Sequence, residues 1–381
     1  MKKLYGGLYI ILLCFFYNNY LFSQDKYYLE LKPFSGFVAP HRVGMESLAQ
    51  DPIFGTEINF IFQSNSDNVF DKFYNYPYIG GGISIEYLGN PSMLGNSYST
   101  YAFMEFKTLK HSNLNLNVRI GGGLAYLTKK YDAVNNPENI AIGSKLTFHF
   151  NLGLIMYYSI PNTNLDLRLS GGLIHNSNGS VKKPNLGLNQ VFFSGGVAYK
   201  FKESKKDSVK TQKVNKAYAP HEFHAMATII KNDDYTTDYI GRNGNYYCST
   251  FAIGYNYRYS FLGKVGISFD LFHNQNFYYY YDEHVRELIR KYDSPKDILR
   301  SGISLGHELI YKKIGLITYI GTYVNRSIKP DDYFYFRVGL RYYPIKNIYV
   351  NITLKCFGFK AHYIESGIGF SIYKNKKNKD S

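Results

Sequence analysis

Strict alternation of apolar and polar residues runs through most of this chain. In LNLNVRI, Leu114, Leu116, Val118 and Ile120 fall on one side and Asn115, Asn117 and Arg119 on the other. FRVGLRY sets Phe336, Val338, Leu340 and Tyr342 against Arg337, Gly339 and Arg341, and YVNITLKC sets Val350, Ile352, Leu354 and Cys356 against Asn351, Thr353 and Lys355. A period of two is the mark of a β-strand with one apolar and one polar face. Reading on this basis gives about eight strands from Tyr27 to Phe201 and about eight more from Glu222 to Tyr373.

The connections narrow the class. In the second half the turns FLGK (261–264), KKIG (312–315) and PIKN (344–347) are tight, whereas 231–245 and 277–299 are long. Short turns at one end and long loops at the other are the signature of a transmembrane antiparallel barrel. The first half keeps this rule less well, because SNSDNVFDKFYNY (64–76) is long for a turn on the short side. Within 277–299, Val285, Leu288, Ile289 and Tyr292 follow Asp282 at helical spacing and predict a short helix on an outer loop.

The expected fold is therefore all-β, a barrel of about 16 strands in one closure. The alternative is an eight-stranded barrel followed by a second β domain. The predicted layout is an export signal at 1–24, a first barrel half at 25–201, a Lys-rich linker or periplasmic turn at 202–219, a second β-rich half at 220–374 and a basic tail at 375–381. Lys2 and Lys3 before the short apolar run Leu8–Phe16 are the basis of the signal assignment.

Composition supports a surface that meets lipid. The chain has 40 Tyr and 28 Phe, no Trp, and only 19% charged residues, which suits aromatic belts at two membrane interfaces. A formal charge of +15 calls for an anionic partner, and export selects anionic lipid rather than nucleic acid. The histidines show no metal-ligand spacing, and IGGGI (79–83) and IGGGL (120–124) are glycines inside strands rather than a phosphate loop. No metal or cofactor is expected.

One polar cluster breaks the pattern. On the strand TNLDLRLSGGLIHNSN, Leu165, Leu167, Leu169, Gly171 and Leu173 share the apolar parity, and continuing it puts His175 and Ser177 on the lipid-facing side. The next strand brings Asn189 to the same face with Val191 and Phe193. A serine hydroxyl needs an adjacent base to become a nucleophile, and positions i and i+2 of a strand lie about 7 Å apart, within reach of an imidazole. Asn189 can orient that imidazole through its amide oxygen. Backbone amides at Asn178 and Gly179, with the Asn178 side chain, are candidate oxyanion donors. Lys182 and Lys183 are candidates to meet phosphate or carboxylate on a lipid headgroup.

His175-Asn176-Ser177-Asn178-Gly179 followed by Lys183-Pro184-Asn185-Leu186-Gly187-Leu188-Asn189 resembles the outer-membrane lipid A 3-O-deacylases, grouped with acyloxyacyl hydrolase-like proteins. The resemblance covers Tyr27 to Phe201 and is strongest over Gly171–Phe201. It implies an eight-stranded outer-membrane barrel that removes an ester-linked acyl chain from lipopolysaccharide with a Ser-His-acid triad on its outer wall. This sequence departs from the family pattern at Asn189, where relatives carry glutamate. The expected function is an outer-membrane serine esterase acting on lipid A with His175, Ser177 and Asn189. The alternatives are a passive porin or a lipopolysaccharide-binding barrel without turnover.

Overall fold

The computed structural model describes residues 26–63, 68–111, 113–203, 219–233, 245–282, 287–326, 333–358 and 360–374. The expected signal, most of the Lys-rich segment and the basic tail lie outside the described residues.

The first eight strands are β1 (Lys26–Val38), β2 (Ile53–Gln63), β3 (Tyr78–Tyr87), β4 (Asn96–His111), β5 (Leu114–Leu127), β6 (Leu146–Ser159), β7 (Leu165–Ser177) and β8 (Leu188–Glu203). They form an antiparallel barrel closed by β8 pairing with β1, with Leu29 opposite Tyr199. The second set begins with β9 (His221–Asp233), β10 (Asn245–Ser260) and β11 (Gly263–Asn274). A small hairpin follows, β12 (Tyr279–Asp282) and β13 (Glu287–Arg290). The set resumes with β14 (Leu299–Tyr311), β15 (Ile314–Arg326), β16 (Phe334–Ile345), β17 (Ile348–Phe357) and β18 (Lys360–Lys374). It closes by β18 pairing with β9.

Sixteen barrel strands are present, but they form two closed barrels of eight rather than the single large barrel expected. The alternative, an eight-stranded barrel followed by a second β domain, is the one observed. The physical reason lies inside. Eight strands enclose a space that side chains can fill, whereas a barrel twice that size encloses water. Each half carries acids and bases that neutralise one another across so narrow a lumen. In the first barrel Arg119 of β5 reaches Glu30 of β1 at 2.9 Å and Glu105 of β4, and Arg168 of β7 reaches the same two carboxylates at 3.1 and 2.6 Å. Lys32 holds Glu57 at 2.6 Å. In the second barrel Arg337 of β16 spans Asp270 of β11 (2.9 Å) and Glu365 of β18 (2.8 Å).

Towards the long-loop rim, the first barrel's interior turns apolar. Phe34, Val38, Ile174, Leu188 and Phe192 from the strands pack with Met45, Leu48, Leu94, Ala141 and Ile142 from the loops 39–52, 88–95 and 128–145. This plug seals the lumen above the ion pairs.

The tight turns after β10, β14 and β16 fall where expected. Behind Asp282, where a helix is expected, Glu287–Arg290 instead pairs as β13 with Tyr279–Asp282, while Val285 lies outside the described residues. A lone short helix is marginal in water, and a Tyr-rich partner segment favours strand pairing. The long turn 64–76 holds a short helix, α1 (Val69–Phe73), capped by the Asn68 side chain accepting from Phe70 N at 2.8 Å.

Removing one member of a buried ion network leaves its partners desolvated and unpaired, at about 3–5 kcal/mol. Arg119→Met is therefore expected to lower the folded barrel's stability by about that amount, read as a shift of the urea midpoint in lipid vesicles.

Candidate functional site

The end of β7 decides where the cluster points. Inward positions Arg168, Ile174 and Asn176 are buried, and the alternate positions Leu167, Leu169 and Leu173 are exposed. His175 and Ser177 share the outward parity, as does Asn189 on β8 with Phe193, Val197 and Tyr199. Ladder register makes His175 and Asn189 direct cross-strand partners. On the other flank Phe150 is opposite His175 and Phe148 opposite Ser177, both exposed.

His175 Nδ1 lies 2.5 Å from Asn189 Oδ1. An amide oxygen only accepts, so Nδ1 carries the proton and Nε2 is left with its lone pair. The Asn189 amide in turn donates through Nδ2 to Nδ1 of His41 (3.1 Å), whose Nε2–H donates to the Leu186 carbonyl (3.2 Å). Both ring tautomers and the amide orientation follow from this single chain of bonds. His41 sits on the loop after β1 and was not among the expected site residues, because nothing local in the sequence links it to a strand more than a hundred residues away.

Ser177 Oγ is held from the loop beyond it. Asn185 Nδ2 donates to it at 2.8 Å and the Gly179 backbone N–H at 3.2 Å. Among the described residues no hydrogen bond joins Ser177 to His175. The expected oxyanion pair divides. Gly179 N–H is aimed at the serine, whereas Asn178 is committed to the loop. Its Nδ2 donates to Ser144 Oγ (3.0 Å) and the Lys182 carbonyl (2.7 Å), and its backbone N–H donates to Asn185 Oδ1 (3.1 Å). Asn185, inside the sequence motif but without an expected role, is the second donor in place of Asn178.

The loop is fixed by its neighbours. Leu186 N and Gly187 N donate to the carbonyls of Ile140 and Ala141 (3.1 and 3.0 Å). Gly187 has φ +83°, and a Cβ there would lie 2.5 Å from His175 Cε1, so only glycine lets the chain pass over the imidazole. Lys182 and Lys183 are half-buried on this loop, between Gly179 and Asn185.

Among the described residues no further histidine joins the cluster. His149 and His224 are buried on inward positions, and His149 stacks on Tyr101 and lies 3.1 Å from Asn176 Oδ1. Among the described residues no group of three or more His, Cys, Asp and Glu side chains is placed to hold a metal ion.

A closed antiparallel barrel with a filled polar interior and an apolar outer wall defines a transmembrane-type β-barrel protein. The chain belongs to the lipid A 3-O-deacylase family. Residues 53–198 match the family model "Lipid A 3-O-deacylase (PagL)", and residues 221–375 match "Acyloxyacyl hydrolase, C-terminal domain". Among solved structures, the outer membrane enzyme PagL is 13% identical, covering 45% of this chain and 99% of its own, with a TM-score of 0.31. Neisserial surface protein A is 14% identical over 46% of this chain and 97% of its own, with a TM-score of 0.29. These two likenesses carry no argument about the site. No protein among the curated ones matches the chain.

In ¹⁵N-histidine spectra the His175 ring is expected in the Nδ1–H form. Asn189→Ala should release it to a mixture in which Nε2–H predominates, and an unchanged spectrum would contradict the bond.

Proposed function

We propose that the protein is an outer-membrane esterase that removes an ester-linked acyl chain from lipid A, using Ser177 as nucleophile and His175 as general base. The observation that carries this reading is the His175–Asn189 bond beside a serine whose oxygen is gripped by two donors, all on the lipid-facing wall. A bilayer lipid can reach such a cluster only sideways, and an ester near the outer interface would meet it there.

In the resting state Asn185 Nδ2 and Gly179 N–H occupy the acceptor positions of Oγ, leaving its O–H as the free donor. When an ester carbonyl enters, its oxygen takes over those two donors and Oγ turns towards His175. The Oγ–carbonyl bond then forms and the hydroxyl proton passes to Nε2. The tetrahedral oxyanion sits against Asn185 and Gly179, donors worth about 10²–10³ in rate each. Collapse breaks the bond to the sugar oxygen, which leaves with the Nε2 proton. Water repeats the sequence on the acyl-enzyme and restores Ser177. Asn189 orients the imidazole without lending it negative charge, so the base is weaker than one paired with a carboxylate. Lys182 and Lys183 are suited to hold headgroup phosphates beside the scissile ester.

A passive pore is the weaker reading, because the first lumen is crossed by ion pairs and sealed by the apolar plug.

Mass spectrometry of lipid A from producing cells is expected to show loss of one acyl chain, and Ser177→Ala to abolish it. Identical lipid A from the two strains would leave a non-catalytic lipopolysaccharide-binding barrel. Asn189→Glu, which supplies the missing charge, is expected to raise kcat several-fold with little change in KM.

A further inference from the structure

The Gly179 amide lies where the two barrels meet. The strand β7 ends at Ser177, and the chain leaves it through Gly179 at φ +65° and Ser180 at φ +67°. A residue with a side chain is strained at positive φ, and glycine takes positive and negative φ about equally. Neither residue holds the turn in this shape by itself, so the direction of the Gly179 N–H depends on what packs around it. From the first barrel, three hydrogen bonds of Asn178 pin the residue before it. On the other side, a Cβ added to Gly179 would lie 2.6 Å from Cδ1 and 2.7 Å from Cγ1 of Ile364, and 3.5 Å from Cδ1 of Leu354. Those three atoms are the nearest to that point, and all belong to the second barrel.

Burial along β18 reports the same contact. Ile364 and Leu354 are ladder partners on β18 and β17, at outward positions that alternate with the lumen residues Tyr363, Glu365, Thr353 and Lys355. The outward residues Ile368, Phe370 and Ile372 are 65%, 50% and 58% exposed, as lipid-facing side chains are, whereas Ile364 on the same face is 7% exposed. The Gly179 turn lies against it. At the opposite rim α1 fastens the two barrels together. Phe70 packs on Phe261 and Tyr311 with ring centroids 5.6 and 6.0 Å apart. The Tyr311 hydroxyl donates to Asp71 Oδ1 at 2.7 Å, and Lys312 Nζ lies 3.3 Å from the same oxygen. Contacts at both rims oppose rocking of one barrel against the other, so the side chains behind Gly179 keep their place.

We propose that Ile364, backed by Leu354, is a positioning residue for the Gly179 N–H. The second barrel braces the turn from outside, so that this donor faces Ser177 Oγ at rest and the oxyanion during reaction. This rests on the reading of Ser177 as the nucleophile of an esterase. A braced donor is set before the ester arrives, and nothing has to be ordered as charge develops. Without the brace the glycine turn samples other directions, and the oxyanion meets Asn185 alone. The demand on the N–H is greatest when the carbonyl oxygen carries charge, so the loss falls on kcat more than on KM. Ile364 acts through Gly179, and Gly179 must stay a glycine because any Cβ there would run into Ile364.

The test uses full-length protein in mixed micelles with lipid A, following fatty acid release. Ile364→Ala is expected to lower kcat about tenfold with KM little changed, inside the roughly 10²–10³ that complete loss of one oxyanion donor costs. Ile364→Val, which keeps a branched side chain against Gly179, should retain most of the rate. Ile368→Ala, on the exposed stretch of the same face, should match the unaltered protein. A second readout is the Gly179 amide itself. Protein carrying ¹³C-carbonyl asparagine and ¹⁵N-glycine shows only the pairs Asn178-Gly179 and Asn243-Gly244. Ile364→Ala should move the Gly179 amide proton upfield, as loss of a hydrogen bond does, and leave the His175 tautomer as it was. Heat-modifiable gel mobility checks that each variant is folded. Folded Ile364→Ala with full kcat and an unshifted Gly179 amide overturns the brace while leaving the esterase reading standing. A fall in kcat with an unshifted amide also overturns it, because the residue then acts by another route. Fatty acid release undiminished by Ser177→Ala overturns the esterase reading itself, and the amide shift still reports whether Ile364 holds the turn.

Discussion

Two guanidinium groups inside the first barrel hold its geometry. Arg119 and Arg168 come from β5 and β7, yet both reach Glu30 on β1 and Glu105 on β4, tying the adjacent pair β4 and β5 to β7 and β1 across the lumen. A strand slipped by one residue would turn those charges into hydrocarbon, at a cost of several kcal/mol each. The register is therefore fixed from within, and the outward face is fixed with it. His175, Ser177 and Asn189 stand together on the lipid side because Arg168 and Asn176, at the alternate positions of the same strand, are held inside. A site on the wall is specified by the chemistry of the lumen.

Much of this was legible in the chain. Alternation marked the strands, and the parity of Leu165, Leu167, Leu169 and Gly171 carried correctly through to His175 and Ser177. The number of closures was not legible from alternation, because a strand in a barrel of eight and one in a barrel of sixteen present the same pattern. The charges carried the missing signal. Glu30, Lys32, Glu57, Glu86, Glu105, Arg119 and Arg168 all lie buried at inward parity in one half, and six of them are joined in ion pairs across the lumen, an arrangement that a water-filled pore has no need to keep. Asn178 and Asn185 could not be told apart by spacing, because which amide meets the serine depends on the fold of the loop. His41 was out of reach altogether, since a contact across the barrel rim leaves no mark in local pattern.

The second barrel repeats the architecture without repeating the cluster. On β11, His273 takes an outward position near the long-loop rim, followed by Asn274, Gln275 and Asn276 in a faint echo of His175 to Asn178. Gln275 stands where the serine would be, and its amide oxygen accepts from Tyr247 N at 3.0 Å. That segment leads into the β12–β13 hairpin instead of a catalytic loop. The two halves therefore differ in chemistry more than in frame.

Both barrels begin and end on the short-turn rim, where α1 also sits, and only the fifteen residues 204–218 separate Glu203 from Ala219. A tether of that length keeps each barrel at an effective concentration in the millimolar range with respect to the other. Two separate barrels diffusing in a crowded membrane would pair or part with expression level. Here the stoichiometry is built into the gene product, so pairing does not depend on how much protein a cell makes.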